Sequence, residues 1–385
     1  MTFALMDKIQ QSKNEGIQVF RALLFLSIFG AHAINFNPLL SIYIDVTPFF
    51  VMSGFLLMFR DKGDDMPCGL KFCFLSMVKR IRRLYPLHVC AAFFCFLIFL
   101  RSSSEKIVDL SKGLFFNISL LNPWIPKYAV SLNGPAWYLG VAAFLYFSFP
   151  FVRWVIVKST MTGRWLIIAL LFLLRILWAG VAIKVAPYDF EFFRPFGIEL
   201  WSWYFLPLAR LADFWIGCFA GIFYREYKEK LNVSNFFSFL LQIATLALGV
   251  CLFKTRFDNY PFLAKCFFVS NIMRSALSVL WCYFFIEGKG FLRFLIVRPL
   301  VALGNISGYC YLIHAPVLLA PCVIPSFLKL DFSKLWGGRY LVALIELLAT
   351  IILSVLWVEL NKRIAKRGTP AADKASGESQ ETPRS

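Results

Sequence analysis

The chain has 385 residues, of which 59% are hydrophobic and 18% are aromatic. This apolar fraction exceeds what one soluble core can bury, and apolar runs of about twenty residues, the length that crosses a bilayer, recur along the sequence. The net charge of +18 is spread over short segments between these runs, which excludes a single basic domain of the nucleic-acid-binding kind. Composition therefore predicts an all-α polytopic integral membrane protein with a basic membrane-facing surface.

Hydropathy and turn residues predict about ten transmembrane helices. In chain order they lie near residues 16–37, 45–59, 84–100, 135–157, 165–183, 200–224, 235–253, 262–286, 300–324 and 340–360. An even number of spans puts both termini on one side of the membrane. A cytoplasmic assignment of that side leaves about twice as many Lys and Arg in cytoplasmic segments as outside, which favours it. We therefore expect a multi-pass protein of the cell (inner) membrane with both termini in the cytoplasm.

The sequence predicts one transmembrane domain over residues 1–360 and a tail over residues 361–385. The N-terminal segment lacks a cleavable signal, so the first span is expected to stay in the membrane as an anchor. The tail is polar and poor in apolar residues, which indicates a disordered cytoplasmic segment. Cys68 and Cys73 share a loop but lack the spacing of metal ligands, so no metal site is predicted. The sequence leaves the oligomeric state open.

Four arginines stand out inside the predicted spans, since an arginine at mid-helix costs roughly 2.5–3.5 kcal/mol and needs a partner, a water-filled cavity or a ligand. They are Arg21, Arg175, Arg210 and Arg274. Only Arg210 has an evident local counter-charge, because Asp213 lies one helical turn away on the same face. That pair is either structural or part of a site. The other three arginines leave surplus positive charge in the bundle, which predicts a cavity that receives an anion.

The first span contains RALLFLSIFGAH, from Arg21 to His32. Eleven residues of helix advance about 1100°, three turns plus about 20°, and rise about 16 Å. Arg21 and His32 therefore share one stripe, with the arginine near the cytoplasmic interface and the imidazole near the middle of a roughly 30 Å hydrocarbon layer. A shared face with a cation favours a functional imidazole. His314 is expected to approach the same depth from the ninth span, and His88 to lie at the cytoplasmic interface.

The segment between the second and third spans contains KRIRRLYP, from Lys79 to Pro86. Arg80 and Arg83 are three residues apart, so on a helical turn they project to neighbouring positions and can clamp one polyanion. Scattered lysines would satisfy the positive-inside rule alone. The guanidinium fork matches phosphate oxygens in bidentate geometry, so we expect this pair to bind pyrophosphate or a nucleotide phosphate.

Five segments resemble, in their order, the motifs of the acyltransferase family 3 membrane proteins, which include bacterial O-antigen and exopolysaccharide O-acetyltransferases. They are RALLFLSIFGAH with Arg21 and His32, FFVMSGFLL with Ser53, RIRR with Arg80 and Arg83, LARLADFWIGCFAG with Arg210, and GNISGYCYLIHAPV with Tyr311 and His314. Each motif is weak alone, but the ordered set is specific and covers most of the predicted ten-helix region.

Two segments depart from the family pattern. Many relatives read Trp-Ser-Leu-Ser-x-Glu where this chain has AWYLGVAAF, so Tyr138 replaces the first Ser and Ala142 replaces the Glu. Thr47 stands where Asp is common. These departures leave open a divergent subfamily with a different acceptor or a weakened enzyme.

The resemblance implies transfer of an acyl group, usually acetyl, from cytoplasmic acyl-CoA to a hydroxyl of a carbohydrate acceptor, either a surface polysaccharide or a lipid-linked saccharide. Imidazole suits the proton transfer near neutral pH, so His32 is the candidate base or covalent acyl carrier. Arg21 is expected to hold phosphate or orient the thioester. The nucleotide end of CoA is assigned to Arg80 and Arg83. Candidate supporting residues are His314, Ser53, Tyr311 and Arg210.

The expected partners are acyl-CoA as donor substrate, the carbohydrate acceptor and membrane lipid, with no further cofactor and no nucleic acid. Two other functions are open to this sequence. One is a carrier or flippase for a lipid-linked saccharide, because unpaired membrane arginines also mark transport routes; the sequence lacks the paired halves typical of carriers. The other is a catalytically silent scaffold, against which the retention of Arg21 and His32 argues.

Overall fold

The computed structural model describes residues 3–34, 46–61, 68–102, 106–185, 197–230, 233–254, 272–320 and 338–367. Within these ranges the chain forms helices joined by turns, and no β-strand occurs. The helices are α1 Phe3–Ile34, α2 Thr47–Phe59, α3 Leu70–Ile81, α4 Tyr85–Ser102, α5 Ile107–Ile118, α6 Trp137–Lys158, α7 Met161–Val185, α8 Gly197–Leu200, α9 Pro207–Tyr227, α10 Asn235–Lys254, α11 Ile272–Glu287, α12 Arg298–Leu319 and α13 Gly338–Arg367. The predicted all-α polytopic class is confirmed.

Every predicted span overlaps one of these helices, but fewer helices are long and apolar enough to cross a bilayer alone. Within the described ranges there are five: Glu15–Ile34, Gly134–Lys158, Met161–Val185, Arg298–Leu319 and Gly338–Ile364. A sixth is possible if α3 and α4, bent by 67°, form one broken span. The apolar helix α2 has 13 residues, about 20 Å. The predicted number of ten is therefore not confirmed.

Two boundaries differ from the sequence prediction. Helix α3 occupies a stretch expected to be a loop, because its apolar and basic residues alternate with a helical period and one face packs on α6. Helix α13 continues to Arg367, so the first seven residues of the predicted tail are helical. Basic residues near a helix C-terminus interact favourably with its dipole, which suits the NKRIAKR ending. Residues 368–385 lie outside the described part of the chain.

The closest helix pair in the bundle is α2 with α9. Three glycines make this approach possible, since a methyl group at Gly54 would overlap the carbonyl of Phe214, and one at Gly217 or Gly221 would overlap a carbonyl of α2. Small residues commonly allow helix backbones to approach closely in lipid, where burial of apolar side chains alone does not favour association of helices. This contact fixes α2, which carries several residues of the site.

Helices α1, α12 and α13 form the second part of the framework. Gly304 lets α12 lie against the backbone of α1 at Gln18. Helix α13 begins beside the end of α1, where Arg339 Nε donates to the carbonyl of Ala33 at 3.2 Å, and packs along α12 and α1. The beginning of α1 and the end of α13 therefore lie on the same side of the bundle.

Candidate active site

Two cavities lie between α1, α2, α6 and α12. The first, called here the arginine cavity, has a volume of about 680 Å³. Its polar lining residues are Arg21, Ser53, Arg60, Asp61, Arg80, Tyr138, Tyr146, Ser307 and Tyr311. The second, the histidine cavity, has a volume of about 450 Å³, and its lining includes His32, Phe99, Trp137, Tyr204, Phe205 and Tyr311.

The cavities are stacked along the axis of the bundle. The arginine cavity is lined along α2 by residues from Phe49 onward, and by Asp61 just after the helix. The histidine cavity is lined by Val46, which directly precedes α2. On α12 the arginine cavity is lined by residues 307–312 and the histidine cavity by residues 311–319. Tyr311 lines both. The single chamber implied by the sequence is therefore divided into two compartments that meet at this residue.

Two guanidinium groups in the arginine cavity contact no carboxylate within the described residues. Arg21 reaches only Gln18, whose Oε1 accepts from Nη1 at 3.4 Å. Arg80 donates from Nη1 to the carbonyl and hydroxyl of Ser76, at 2.8 and 2.7 Å, and lies over the ring of Phe149 at 5.1 Å. This part of the cavity carries positive charge that an anionic ligand can neutralise, in agreement with the prediction for Arg21.

The cavity's own carboxylate does not cancel this charge. Asp61 is held by Arg153 at 2.9 Å and by Arg225 at 3.6 Å, both outside the cavity lining. Arg60, which follows the last residue of α2, adds a third guanidinium to the wall. The sequence analysis did not assign Arg60 to the site; the end of α2 at Phe59 places it there.

Arg83 does not line the arginine cavity. It is exposed, donates from Nε to the hydroxyl of Tyr309 at 2.7 Å and lies over that ring at 5.2 Å. The spacing argument for a clamp with Arg80 assumed a continuous helix, whereas α3 ends at Ile81 and the chain turns before α4 begins at Tyr85. The corner directs the two arginines to different surfaces.

The two histidines singled out from the sequence are in contact. His32 Nδ1 lies 2.9 Å from His314 Nε2, and the rings are parallel within 4° with centroids 5.2 Å apart. His314 Nδ1 lies 2.7 Å from the carbonyl oxygen of Tyr311. A carbonyl only accepts, so the Nδ1 of His314 carries the proton, and the Nε2 of the neutral ring accepts from His32 Nδ1. The remaining nitrogen of His32, Nε2, then has a free lone pair.

His32 lies in the last described turn of α1, about 11 Å by the helical rise from the centre of the Glu15–Ile34 segment. The ring is exposed to the histidine cavity but does not line the arginine cavity. Arg21 therefore lines the arginine cavity and His32 lines the histidine cavity.

A loop supports the histidine pair from the side. Pro316 has no N–H, so the carbonyl of Leu312 lacks its usual partner within α12. Asn133 supplies that partner, donating from Nδ2 at 3.0 Å. The hydroxyl of Tyr311 donates to the carbonyl of Pro135 at 3.1 Å. The backbone that carries Tyr311 and His314 is thus tied to residues 133–135.

Arg210 belongs to a buried ion cluster. Arg210 and Asp213 are fully buried and 3.1 Å apart, and Arg175 approaches the same carboxylate at 2.6 Å. The expectation that Arg175 contributes unpaired charge to a ligand cavity is therefore wrong, because a carboxylate 38 residues away neutralises it. Arg274 is not free either, since it has a polar or electrostatic partner.

The cluster also accounts for one departure from the family pattern. The hydroxyl of Thr47 accepts from Arg210 Nη1 at 2.9 Å, so it supplies an acceptor where relatives commonly carry a carboxylate. Arg210 Nε donates to the carbonyl of Tyr204 at 2.9 Å, and the guanidinium lies 4.9 Å from that ring. Since Tyr204 lines the histidine cavity, Arg210 supports the wall from behind.

His88 is fully buried within the protein. Its Nε2 donates to the carbonyl of Asn117 at 2.8 Å, so it connects α4 to α5.

Sequence analysis missed two tyrosines of the arginine cavity, Tyr138 as a wall residue and Tyr146, although their spacing of eight residues puts them on one face of α6 together with Ala142. Ala142 leaves a methyl group there, where relatives carry a carboxylate. No group of three or more His, Cys, Asp or Glu able to hold a metal occurs in the described ranges.

Comparison with known proteins gives one match. No curated protein and no solved structure matches the chain significantly. The sequence model of acyltransferase family 3, described as an acyltransferase domain, matches residues 14–358. This range contains both cavities, the histidine pair and every motif on which the resemblance was based. The chain therefore belongs to acyltransferase family 3 and is a membrane acyltransferase.

Proposed function

We propose that the protein transfers an acyl group from acyl-CoA to a hydroxyl of a carbohydrate, a surface polysaccharide or a lipid-linked saccharide. One observation carries the proposal: a cavity in which Arg21 and Arg80 contact no described carboxylate meets, at Tyr311, a cavity that contains an imidazole nitrogen with a free lone pair. The first suits a donor with several phosphate charges, and the second suits activation of an alcohol.

The donor is assigned to the arginine cavity. Phosphates of CoA bind Arg80 and Arg60 near its mouth, with Arg83 at the exposed corner, and the pantetheine arm runs inward past Arg21 and the apolar side chains of α2. Acyl-CoA is a cytoplasmic metabolite, so this face is assigned to the cytoplasm, together with both termini of the chain. The basic segments on this side agree with that orientation, and the membrane is then the bacterial inner membrane.

The acceptor is assigned to the histidine cavity. His32 Nε2 takes the proton of the sugar hydroxyl, and the resulting imidazolium is stabilised because Nδ1–H donates to His314. The sugar oxygen attacks the thioester carbonyl near Tyr311, the carbon–sulfur bond breaks, and the CoA thiolate receives the proton from His32. A covalent acyl-histidine route uses the same Nε2 lone pair. His314 is a positioning residue in both routes, since it fixes the tautomer of His32.

The test is mass spectrometry of surface glycans from cells with and without the gene, searching for an added acyl mass, followed by variants at His32. Replacement of His32 by Ala or Gln is expected to lower acyl transfer by about 10²- to 10⁴-fold, the usual contribution of a general base. His88→Gln is the matched control, because it changes a histidine away from both cavities and Gln can still donate to Asn117.

Undiminished acylation in the His32 variants would reject the assignment of the base. If the saccharide crosses the membrane in the presence of the protein with no consumption of acyl-CoA, the chain is a carrier and the proposed reaction is wrong.

A further inference from the structure

A layer of three aromatic rings lies at the inner end of the arginine cavity. The ring centroids of Phe49 and Tyr138 are 5.8 Å apart, those of Tyr138 and Tyr311 are 5.3 Å apart, and those of Phe49 and Tyr311 are 6.4 Å apart. All three residues line the arginine cavity, and Tyr311 also lines the histidine cavity. They form a triangle where the two cavities meet, called here the aromatic floor.

The rings continue from the floor to the imidazoles. The centroid of Tyr311 lies 5.6 Å from that of His314, which in turn lies 5.2 Å from that of His32. A molecule entering from the arginine side therefore meets the aromatic floor before it meets either histidine.

Tyr138 is packed by rings on several sides. Its ring stacks on Phe50, with centroids 4.9 Å apart and planes within 19°, and it contacts Phe49 and Tyr311 within the floor. A side chain packed in this way does not move aside without loss of packing, because protein interiors are close to crystal density.

The position of the floor limits the donor. With the CoA phosphates near Arg80, and the arm passing Arg21, the acyl group is the leading end of the molecule and reaches the aromatic floor, of which Tyr138 is part. We propose that Tyr138 is a specificity-determining residue that disfavours donors with long acyl chains. This inference rests on the proposed function, since it applies only if the arginine cavity binds acyl-CoA.

The experiment measures binding of acetyl-, butyryl- and hexanoyl-CoA to the purified full-length protein in lipid nanodiscs by calorimetry. The wild type is expected to bind hexanoyl-CoA roughly 5- to 150-fold more weakly than acetyl-CoA, the equivalent of an overpacked core. In Tyr138→Ala the order should reverse, because each additional buried methylene is worth about fourfold in affinity.

Tyr146→Ala is the matched control. It removes the same side chain from the same face of α6, two turns nearer the mouth of the same cavity, and should leave the length preference unchanged. Tyr138→Leu keeps an apolar contact with Phe50 but is shorter, so it gives a second measurement, with a smaller shift, if the alanine variant does not fold.

The outcomes separate the inference from the function on which it rests. If the wild type binds all three donors equally, if Tyr138→Ala keeps the wild-type order, or if Tyr146→Ala shifts it as much, Tyr138 does not set the length and acyl-CoA binding still stands. If the wild type binds neither acetyl-CoA nor free CoA, the proposed donor site itself is wrong, and the inference is overturned with it.

Discussion

The ion cluster and the arginine cavity both contain arginines in apolar surroundings, but they differ in what compensates the charge. Arg210 and Arg175 lie in apolar helices and share the carboxylate of Asp213, with all three side chains buried. Arg21 and Arg80 also lie in an apolar setting, but they face a cavity and contact no carboxylate within the described residues. Since a membrane arginine needs a partner or a ligand, the first pair is satisfied by the fold and the second is available to a substrate.

This difference separates stability from function. A change that removes the carboxylate of the cluster leaves two buried charges uncompensated, whereas a change in the cavity removes a charge that the folded protein does not need. Four substitutions test this separation.

The largest effect is expected from Asp213→Ala. Breaking a buried ion pair by removing one partner costs about 3–5 kcal/mol, so the unfolding temperature of the purified protein should fall strongly. The control is Glu226→Ala, which removes the partner of Arg164 in a partly exposed pair and should cost about 0–1 kcal/mol. Equal unfolding temperatures for the two variants would contradict the structural role of the cluster.

An intermediate effect is expected from Arg21→Ala or Arg80→Ala. Loss of one charge-assisted contact to the donor is worth about 1.5–3 kcal/mol, so the apparent requirement for acyl-CoA should rise about 10- to 150-fold. Turnover at saturating donor should change less, and the unfolding temperature should stay near that of the wild type. A fall in stability comparable with that of Asp213→Ala would mean that these arginines have a structural partner after all.

The smallest effect is expected from Arg83→Ala. The exposed side chain lies at the corner and is held by Tyr309, so its loss should change the donor requirement by less than about 1 kcal/mol, the range of exposed ionic contacts. The same donor titration, run beside Arg80→Ala, checks this. An equal rise in both variants would restore the clamp that the three-residue spacing predicted.

Much of the fold could be predicted because apolar runs in lipid become helices, and each run did. The number of membrane crossings could not, since α2 is apolar but short and is held against α9 by glycine contacts between distant segments. The corner after Ile81 was also missed, although Pro86 in the first turn of α4 is a typical helix-start residue. The packing of α3 on α6 accompanies the bend.

Several residues that line the two cavities could be named from the sequence, but their partners could not. His32 and His314 are 282 residues apart, and no local pattern indicates that they touch. The same holds for Arg175 and Asp213, whose pairing reverses the role that the sequence predicted for Arg175. A charged residue in an apolar helix can be recognised from the local sequence. Whether its charge is compensated by a counter-ion or by a ligand depends on the tertiary structure.

The bond from Asn133 to the Leu312 carbonyl makes the helix around His314 dependent on a distant segment. A helix normally completes its own hydrogen bonds, and here one of them is supplied from outside, next to Pro316. Residues 133–135 and the histidine-bearing turn should consequently open and close as one cooperative unit in hydrogen exchange. The proton held on His32 thus depends, through His314, on a loop that is hydrogen-bonded to α12 at Tyr311 and Leu312.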